Sequence, residues 1–116
     1  MRKVTVVIPC YNAEAYIERT LEALERQEFR DFCVICVDDC STDHTAERIL
    51  TFRERKTLDI ILLTNQKNSG PAASRNRGVA CADSEYIAFC DGDDWYAPDF
   101  LSRMVRTATE ENADLV

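Results

Sequence analysis

Three carboxylates lie within four positions at residues 91–94, where the sequence reads DGDD. Two unit charges about 4 Å apart repel by roughly 1 kcal/mol in water and about 4 kcal/mol at an effective dielectric constant near 20. A cation would relieve this repulsion, and Gly92 lets Asp91 and Asp93 turn toward the same ion. Mg²⁺ or Mn²⁺ commonly takes one or two carboxylates and completes its coordination with water and substrate phosphate. The cluster therefore predicts a divalent metal site that also holds a diphosphate; a solvated acidic turn before a helix is the alternative.

A second acidic pair, Asp38 and Asp39, precedes a run of Ser, Thr and Asp. A carboxylate here could accept a hydrogen bond from a ring N–H of uracil or another base, or the segment could be a helix-capping turn. Tyr11 offers a ring on which a base could stack, although a packing role is equally consistent. Arg75 could reach a phosphate or a base carbonyl, or be a surface cation. His44, the single histidine, adjoins a helix start, and we do not assign it as a catalytic base.

Alternating apolar patterns predict the elements that position these residues. β-Branched and apolar runs typical of buried strands occur at 4–9, 32–37, 58–63 and 85–90. Apolar residues at helical spacing predict helices at 13–27, with Asn12 as N-cap, and at 71–82, with Pro71 in the first turn. A helix after Asp43 carries Ala46, Ile49 and Leu50, another begins at Pro98, and residues 113–116 resemble the start of a fifth strand.

Strands that alternate with helices predict an α/β fold, in which a mostly parallel sheet carries helices on both faces. Ligands of such sheets bind beyond the carboxyl ends of the strands, where the strand order reverses. The candidate site residues follow the four predicted strands in turn: Tyr11 the first, Asp38 and Asp39 the second, Arg75 the third, and the acidic cluster at 91–94 the fourth. We therefore expect them to meet at one edge of the sheet.

The composition limits the remaining possibilities. With 116 residues the chain has room for one domain, residues 1–116. A net charge of −7 argues against a nucleic-acid binder and against an electrostatic membrane anchor. No apolar run is long enough to span a bilayer, and Pro9 and Asn12 interrupt the N-terminal apolar stretch too early for a signal peptide. We expect a cytoplasmic location.

Six cysteines raise the question of disulfides or a metal site. Cys33 and Cys36 have CxxC spacing, but residues i and i+3 of a strand point to opposite faces and could not chelate one zinc ion. We expect reduced, mostly buried thiols that pack as small apolar side chains.

Four segments, VVIPCYN, VDDCSTDHT, NSGPAASRNRG and DGDDWYAPDFL, resemble the successive motifs of family 2 glycosyltransferases with the GT-A fold. The resemblance covers nearly the whole chain. It implies transfer of a sugar from a nucleotide-activated donor, usually a UDP-sugar, to the hydroxyl of a carbohydrate or lipid-linked acceptor, as in cell-surface polysaccharide synthesis. It also implies an inverting mechanism and a divalent metal, Mn²⁺ or Mg²⁺, that assists departure of the diphosphate.

The resemblance also implies roles for individual residues. Pro9 and Tyr11 match the base-contacting loop, Asp39 matches the carboxylate that binds the base with Asp38 beside it, and Arg75 lies in the helix that faces the nucleotide. Asp93 matches the direct metal ligand, Asp91 lies nearer the ribose or a metal-bound water, and Asp94 is similar to a residue at the sugar end.

The chain departs from the family pattern in two respects. Cys40 and His44 occupy positions where the family usually has glycine, and a positive φ at Cys40 would cost about 1 kcal/mol. The family's acceptor-binding half and catalytic base lie beyond the motifs matched here, so we expect donor binding without full activity. An open sheet edge would favour self-association, and the full-length protein is expected to be cytoplasmic or peripheral to the inner face of the membrane.

Two other classes of protein are compatible with an acidic α/β chain of this length. A signalling receiver domain also binds a metal through an acidic pair, but its pair follows the first strand, whereas Asp38 and Asp39 follow the second. A nucleotidyltransferase that makes activated sugars would have a Gly-rich basic loop after the first strand. The segment PCYNAEAY contains neither glycine nor a basic residue.

Overall fold

Strands and helices alternate along the chain in the computed structural model, which describes residues 2–91 and 96–111. The strands are β1 (Arg2–Cys10), β2 (Phe32–Asp38), β3 (Ile60–Thr64) and β4 (Ser84–Phe89). The helices are α1 (Ile17–Glu25), α2 (Thr45–Arg53), α3 (Pro71–Cys81) and α4 (Phe100–Glu111). All pairings are parallel, in the order β3-β2-β1-β4. The predicted α/β fold with a parallel sheet is confirmed.

Helices cover both faces of the sheet, as predicted. The main core combines alternate residues of β1 with apolar residues of α1, α2 and α4: Val4, Val6, Ile8, Leu21, Ile49 and Leu101. On the opposite face α3 packs closely against β1 and β2. A Cβ atom added at Gly78 would lie 2.5 Å from Cγ1 of Val7 and 3.4 Å from Cγ2 of Val37. The absence of a side chain at Gly78 therefore determines how closely α3 approaches the sheet.

The first helix is shorter than the sequence predicts. Helix α1 begins at Ile17 rather than at residue 13, and the residue before it, Tyr16, makes no capping hydrogen bond with its side chain. The prediction that Asn12 caps this helix is wrong. Its side-chain oxygen instead accepts a hydrogen bond from the backbone N–H of Thr42, at 2.9 Å, in the loop after β2.

The other boundaries lie within about two residues of the predictions. Asp43 provides the expected chemistry before α2, since its Oδ1 accepts the backbone N–H of Thr45 at 3.0 Å. The apolar face of α2 differs: Leu50 is 39% exposed, and Phe52 is buried beside Ile49. The expected strand at 113–116 lies outside the described residues. No helix in the described ranges is both long enough and apolar enough to cross a bilayer.

All six cysteines are free thiols. Cys36 belongs to the main core, whereas Cys33 contacts Thr5 outside it, so the two do not form a CxxC metal site. The expected burial is wrong for Cys40 and Cys81, which are exposed because they lie in a loop and at the last position of α3.

Candidate functional site

A cleft of about 450 Å³ lies beyond the carboxyl ends of β1, β2 and β4. Strand order reverses between β1 and β4, so this is the position at which open parallel sheets bind ligands. Most of the site residues predicted from the sequence contribute to its lining: Pro9, Tyr11, Asp39, Arg75 and Asp91. Asp93 and Asp94 lie outside the described residues.

The lining also contains residues that the sequence did not predict as ligand contacts. They are Cys10, Asn12, Ala13, Tyr16, Asn68, Pro71 and Ser74. The sequence could have indicated a binding role for Tyr16, because this aromatic residue lies off the apolar face formed by Ile17, Leu21 and Leu24. Tyr11 and Tyr16 are 51% and 43% exposed, so the cleft presents two aromatic rings to solvent.

The structure separates the roles of Asp38, the last residue of β2, and Asp39, the residue that follows it. Both are only 3% exposed, but Asp38 is absent from the cleft lining. Its Oδ1 accepts hydrogen bonds from the backbone N–H and the hydroxyl of Ser41, the first at 3.2 Å. Asp38 therefore shapes the loop after β2. Its contact with a nucleotide stays a prediction.

Asp39 lines the cleft and is held by the loop after β3. Its Oδ1 accepts hydrogen bonds from Nδ2 of Asn65 at 2.8 Å and from the backbone N–H of Ser69 at 2.7 Å. Its Oδ2 accepts the backbone N–H of Gly70 at 2.9 Å. Burial raises the pKa of the Asp39 carboxyl, but these hydrogen bonds outweigh burial and lower the pKa below its ordinary value. Asp39 is thus a fixed, ionised acceptor.

The loops after β1 and β2 are joined directly. The backbone N–H of Asn12 donates to Oγ of Ser41 at 3.0 Å, and that of Ala13 donates to Oγ1 of Thr45 at 2.9 Å. These hydrogen bonds stabilise the loop after β1, which carries Tyr11.

His44 lies outside the cleft lining and takes part in the same contact between loops. Its backbone N–H and its Nδ1 approach Oε1 of Glu14 at 2.8 and 2.7 Å. These hydrogen bonds lower the pKa of the Glu14 carboxyl. His44 therefore helps to join the loops after β1 and β2.

Arg75 and Asp91 meet across the cleft. Nη2 of Arg75 lies 3.1 Å from Oδ1 of Asp91, and their side chains are 37% and 54% exposed. A pair this accessible to solvent contributes little to stability, so Arg75 can turn to a ligand at small cost. The guanidinium also balances the negative charge of Asp91.

The described residues alone do not form a metal cage, since no three His, Cys, Asp or Glu side chains among them converge on a common point. The half-exposed carboxylate of Asp91 nevertheless suits a hard cation that is also bound by phosphate and water. One carboxylate is compatible with Mg²⁺ or Mn²⁺ where phosphate oxygens and water complete the coordination.

Comparison with known sequences decides the family. The sequence model for glycosyl transferase family 2 matches residues 5–116. The chain belongs to glycosyl transferase family 2. This assignment replaces the receiver-domain alternative.

Among the family 2 relatives is the poly(ribitol-phosphate) beta-N-acetylglucosaminyltransferase TarS of Staphylococcus aureus strain Mu50, which is 33% identical over 118 residues covering 100% of this chain and 20% of TarS. The glycosyltransferase GlyA of Streptococcus pneumoniae is 33% identical over 113 residues, 97% of this chain and 16% of GlyA. The chain therefore spans a fifth or less of the length of these two relatives.

Solved structures agree with this assignment. TarS residues 1–349 in complex with UDP-GlcNAc superpose with a TM-score of 0.86 at 34% identity, covering 95% of this chain and 32% of the other. The mannosyltransferase PcManGT of Pyrobaculum calidifontis, in complex with GDP-Man and Mn²⁺, gives 0.88 at 28% identity, covering 92% and 32%. These neighbours are GT-A glycosyltransferases, so the expected GT-A fold is confirmed.

One departure from the family 2 pattern has a measurable backbone cost. Cys40, at a position where the family usually has glycine, has φ of 59°. Side chains with a Cβ are strained in this left-handed region by about 1–2 kcal/mol. His44, at the other glycine position, has φ of −93° and is not strained.

Replacing Cys40 with glycine is expected to raise the free energy of unfolding by about 1 kcal/mol, because the strain is removed while glycine adds some entropy to the unfolded chain. Urea denaturation of both chains measures the difference. His44→Gly is the matched control, and we expect no gain there because φ is already favourable. A Cys40→Gly chain no more stable than the unaltered one would contradict the assignment of strain.

Proposed function

We propose that the chain is the donor-binding part of a family 2 glycosyltransferase. It binds a nucleotide-sugar, preferably a UDP-sugar, whose sugar passes to a hydroxyl of a carbohydrate or lipid-linked acceptor. The main support is the cleft at the reversal of strand order, where Tyr11, Asp39, Arg75 and Asp91 lie together. Structures of TarS with UDP-GlcNAc and of PcManGT with GDP-Man support a nucleotide-sugar in this cleft.

The base occupies the end of the cleft formed by the loops after β1 and β2. The exposed ring of Tyr11 stacks on the base, with Pro9 beside it, and Tyr16 supplies a second apolar wall. Asp39 accepts a hydrogen bond from a ring N–H of the base through the remaining acceptor position of its Oδ2. Uracil and guanine, the bases of the nucleotides in the TarS and PcManGT structures, both carry such an N–H.

The diphosphate lies between Arg75 and Asp91. Arg75 turns from Asp91 to the phosphate oxygens, with which its guanidinium forms stronger paired hydrogen bonds. Asp91 and Asp93 would hold Mn²⁺ or Mg²⁺, which would supply charge neutralisation at the departing diphosphate. Asp94 resembles a residue that lines the sugar end in the family, and we propose the same role for it here.

We assign no residue of this chain as the general base. Inverting transfer needs a carboxylate that takes the proton of the attacking hydroxyl. The described acidic residues of the cleft already serve base and metal binding in this proposal. We propose that the acceptor site and the base belong to segments comparable to those that lengthen TarS and GlyA.

The test of this function is the effect of UDP on thermal unfolding. With Mn²⁺ present, UDP at 100 times its Kd should stabilise the chain by about 2.7 kcal/mol. At the same UDP concentration with EDTA, the increase in Tm should be much smaller. Asp93→Asn should remove the metal-dependent part. Asp59→Asn is the matched control, because Asp59 pairs with Arg2 at the opposite end of the sheet. A full Tm increase in Asp93→Asn would refute the metal assignment, and no increase in the unaltered chain would refute nucleotide binding.

A further inference from the structure

Both the nitrogen and the oxygen of the side-chain amide of Asn65, the first residue after β3, form hydrogen bonds within the fold. Its Nδ2 donates to Oδ1 of Asp39 at 2.8 Å and to Oγ of Ser74 at 3.0 Å, and its Oδ1 accepts from Nη1 of Arg77 at 2.7 Å. Its backbone N–H donates to the carbonyl oxygen of Asp38 at 2.8 Å. One side chain therefore links the end of β2 to α3.

The carboxylate of Asp39 cannot rotate freely because both of its oxygens accept hydrogen bonds. The backbone donors from Ser69 and Gly70 depend on the path of the loop, whereas Asn65 is the one side chain among the three donors. All three donors present a hydrogen to the carboxylate, and a protonated, neutral Asp39 would accept these hydrogen bonds more weakly than the ionised form does. Asn65 thereby favours the ionised state and fixes its orientation.

An ionised carboxylate with a fixed direction discriminates between bases. Uracil N3 and guanine N1 carry a hydrogen that Asp39 can accept, whereas cytosine N3 and adenine N1 are acceptors and would be repelled. A site built around one hydrogen-bonding group rejects ligands that lack the complementary group, because its own polar atom is then left unpaired.

Asn65 also connects the two ends of the cleft. Ser74 is fully buried and adjoins Arg75 in α3. The hydrogen bonds from Asn65 to Asp39 and to Ser74 therefore hold the base-binding carboxylate at a set distance from the helix that carries Arg75.

We propose that Asn65 is a positioning residue that orients Asp39 and so restricts the cleft to nucleotides whose base carries a ring N–H. This inference rests on the proposed function, since it assumes that a nucleotide occupies the cleft. Asn65 itself is not required to touch the ligand.

The experiment compares the Kd of UDP and CDP by calorimetry for the unaltered chain, Asn65→Ala and Gln66→Ala. Gln66 is the exposed amide next in the chain and serves as the matched control. We expect the unaltered chain and Gln66→Ala to prefer UDP, and Asn65→Ala to lose at least about tenfold of that preference. In a folded Asn65→Ala chain, a UDP preference within twofold of the unaltered value would overturn the proposal.

A second variant gives a signature that loss of structure alone does not produce. Asn65→Asp keeps the acceptor for Arg77 but places a carboxylate against Asp39, and two such groups share a proton as the pH falls. UDP affinity of this variant should increase from pH 8 to pH 6, whereas that of the unaltered chain should not. The same direction of pH dependence in both chains would count against the proposal.

A carboxyl ¹³C NMR titration of Asp39 separates the two levels of inference. The pKa of Asp39 should be below its ordinary value in the unaltered chain and should increase in Asn65→Ala. An unchanged pKa would refute the positioning role. Absence of UDP binding by the unaltered chain would instead refute the proposed function, and with it the selection of bases.

Discussion

Asp39→Asn is expected to lower the free energy of unfolding by about 2–4 kcal/mol, whereas Asp38→Asn should lower it by less than about 1 kcal/mol. An asparagine at 39 keeps one acceptor oxygen, so its NH₂ group must oppose at least one of the N–H groups from Asn65, Ser69 or Gly70. An asparagine at 38 keeps the single oxygen that Ser41 uses. Urea denaturation at pH 7 measures both effects.

The comparison is well matched because the two carboxylates are adjacent and equally buried. Loss of a negative charge from an acidic chain should be mildly favourable at both positions and cancels in the difference. Equal effects of the two substitutions would mean that the hydrogen bonds to Asp39 do not distinguish it from its neighbour. In that case the hydrogen bonds would not fix the orientation of Asp39.

Gly78→Ala is expected to lower the free energy of unfolding by up to about 2 kcal/mol. Helix propensity alone would favour alanine by about 1 kcal/mol, but the new methyl group would lie 2.5 Å from Cγ1 of Val7. Favourable contacts between carbon atoms occur near 3.5–4.0 Å, so α3 or β1 must move, and overpacking of this kind typically costs about 1–3 kcal/mol. The helix carries Ser74 and Arg75, so UDP binding should weaken as well.

Val7→Ala supplies the internal control for this prediction. Removing the two Cγ atoms of Val7 makes room for the methyl group, so the double variant should be more stable than the sum of the single effects by at least about 1 kcal/mol. A Gly78→Ala chain that is more stable than the unaltered one would show that helix propensity dominates and that α3 is not held at this distance by Gly78.

The sequence predicts the fold well because the strands come from short runs rich in β-branched and apolar residues, which favour buried strands. The 4–9 and 32–37 segments are buried on both faces, as continuous apolar runs indicate. The place of the site also follows from the sequence, since parallel strands bring Tyr11, Asp39 and Asp91 to the same edge.

The partners of individual polar side chains are much harder to predict. Asn12 suits a helix cap as well as it suits a contact with Thr42 about thirty residues away, and only the distance between the two loops decides which occurs. Asp38 and Asp39 are the same residue type and are equally buried. They differ in the direction in which their side chains leave the backbone at the end of β2. Asn65 is one polar residue of a polar loop until its three partners are in place.

The hydrogen bonds that hold the site join residues far apart in sequence, which has a consequence for how the chain folds. Ala13 and Thr45 are separated by 32 positions, and Ser69 and Asp39 by 30. Such contacts cannot form within a single helix or turn, so we expect them to form only after β1, β2 and β3 have paired. Interactions that form after the transition state slow unfolding without accelerating folding. The loops around the nucleotide cleft would therefore contribute most to the lifetime of the folded chain, and a bound nucleotide would extend that lifetime.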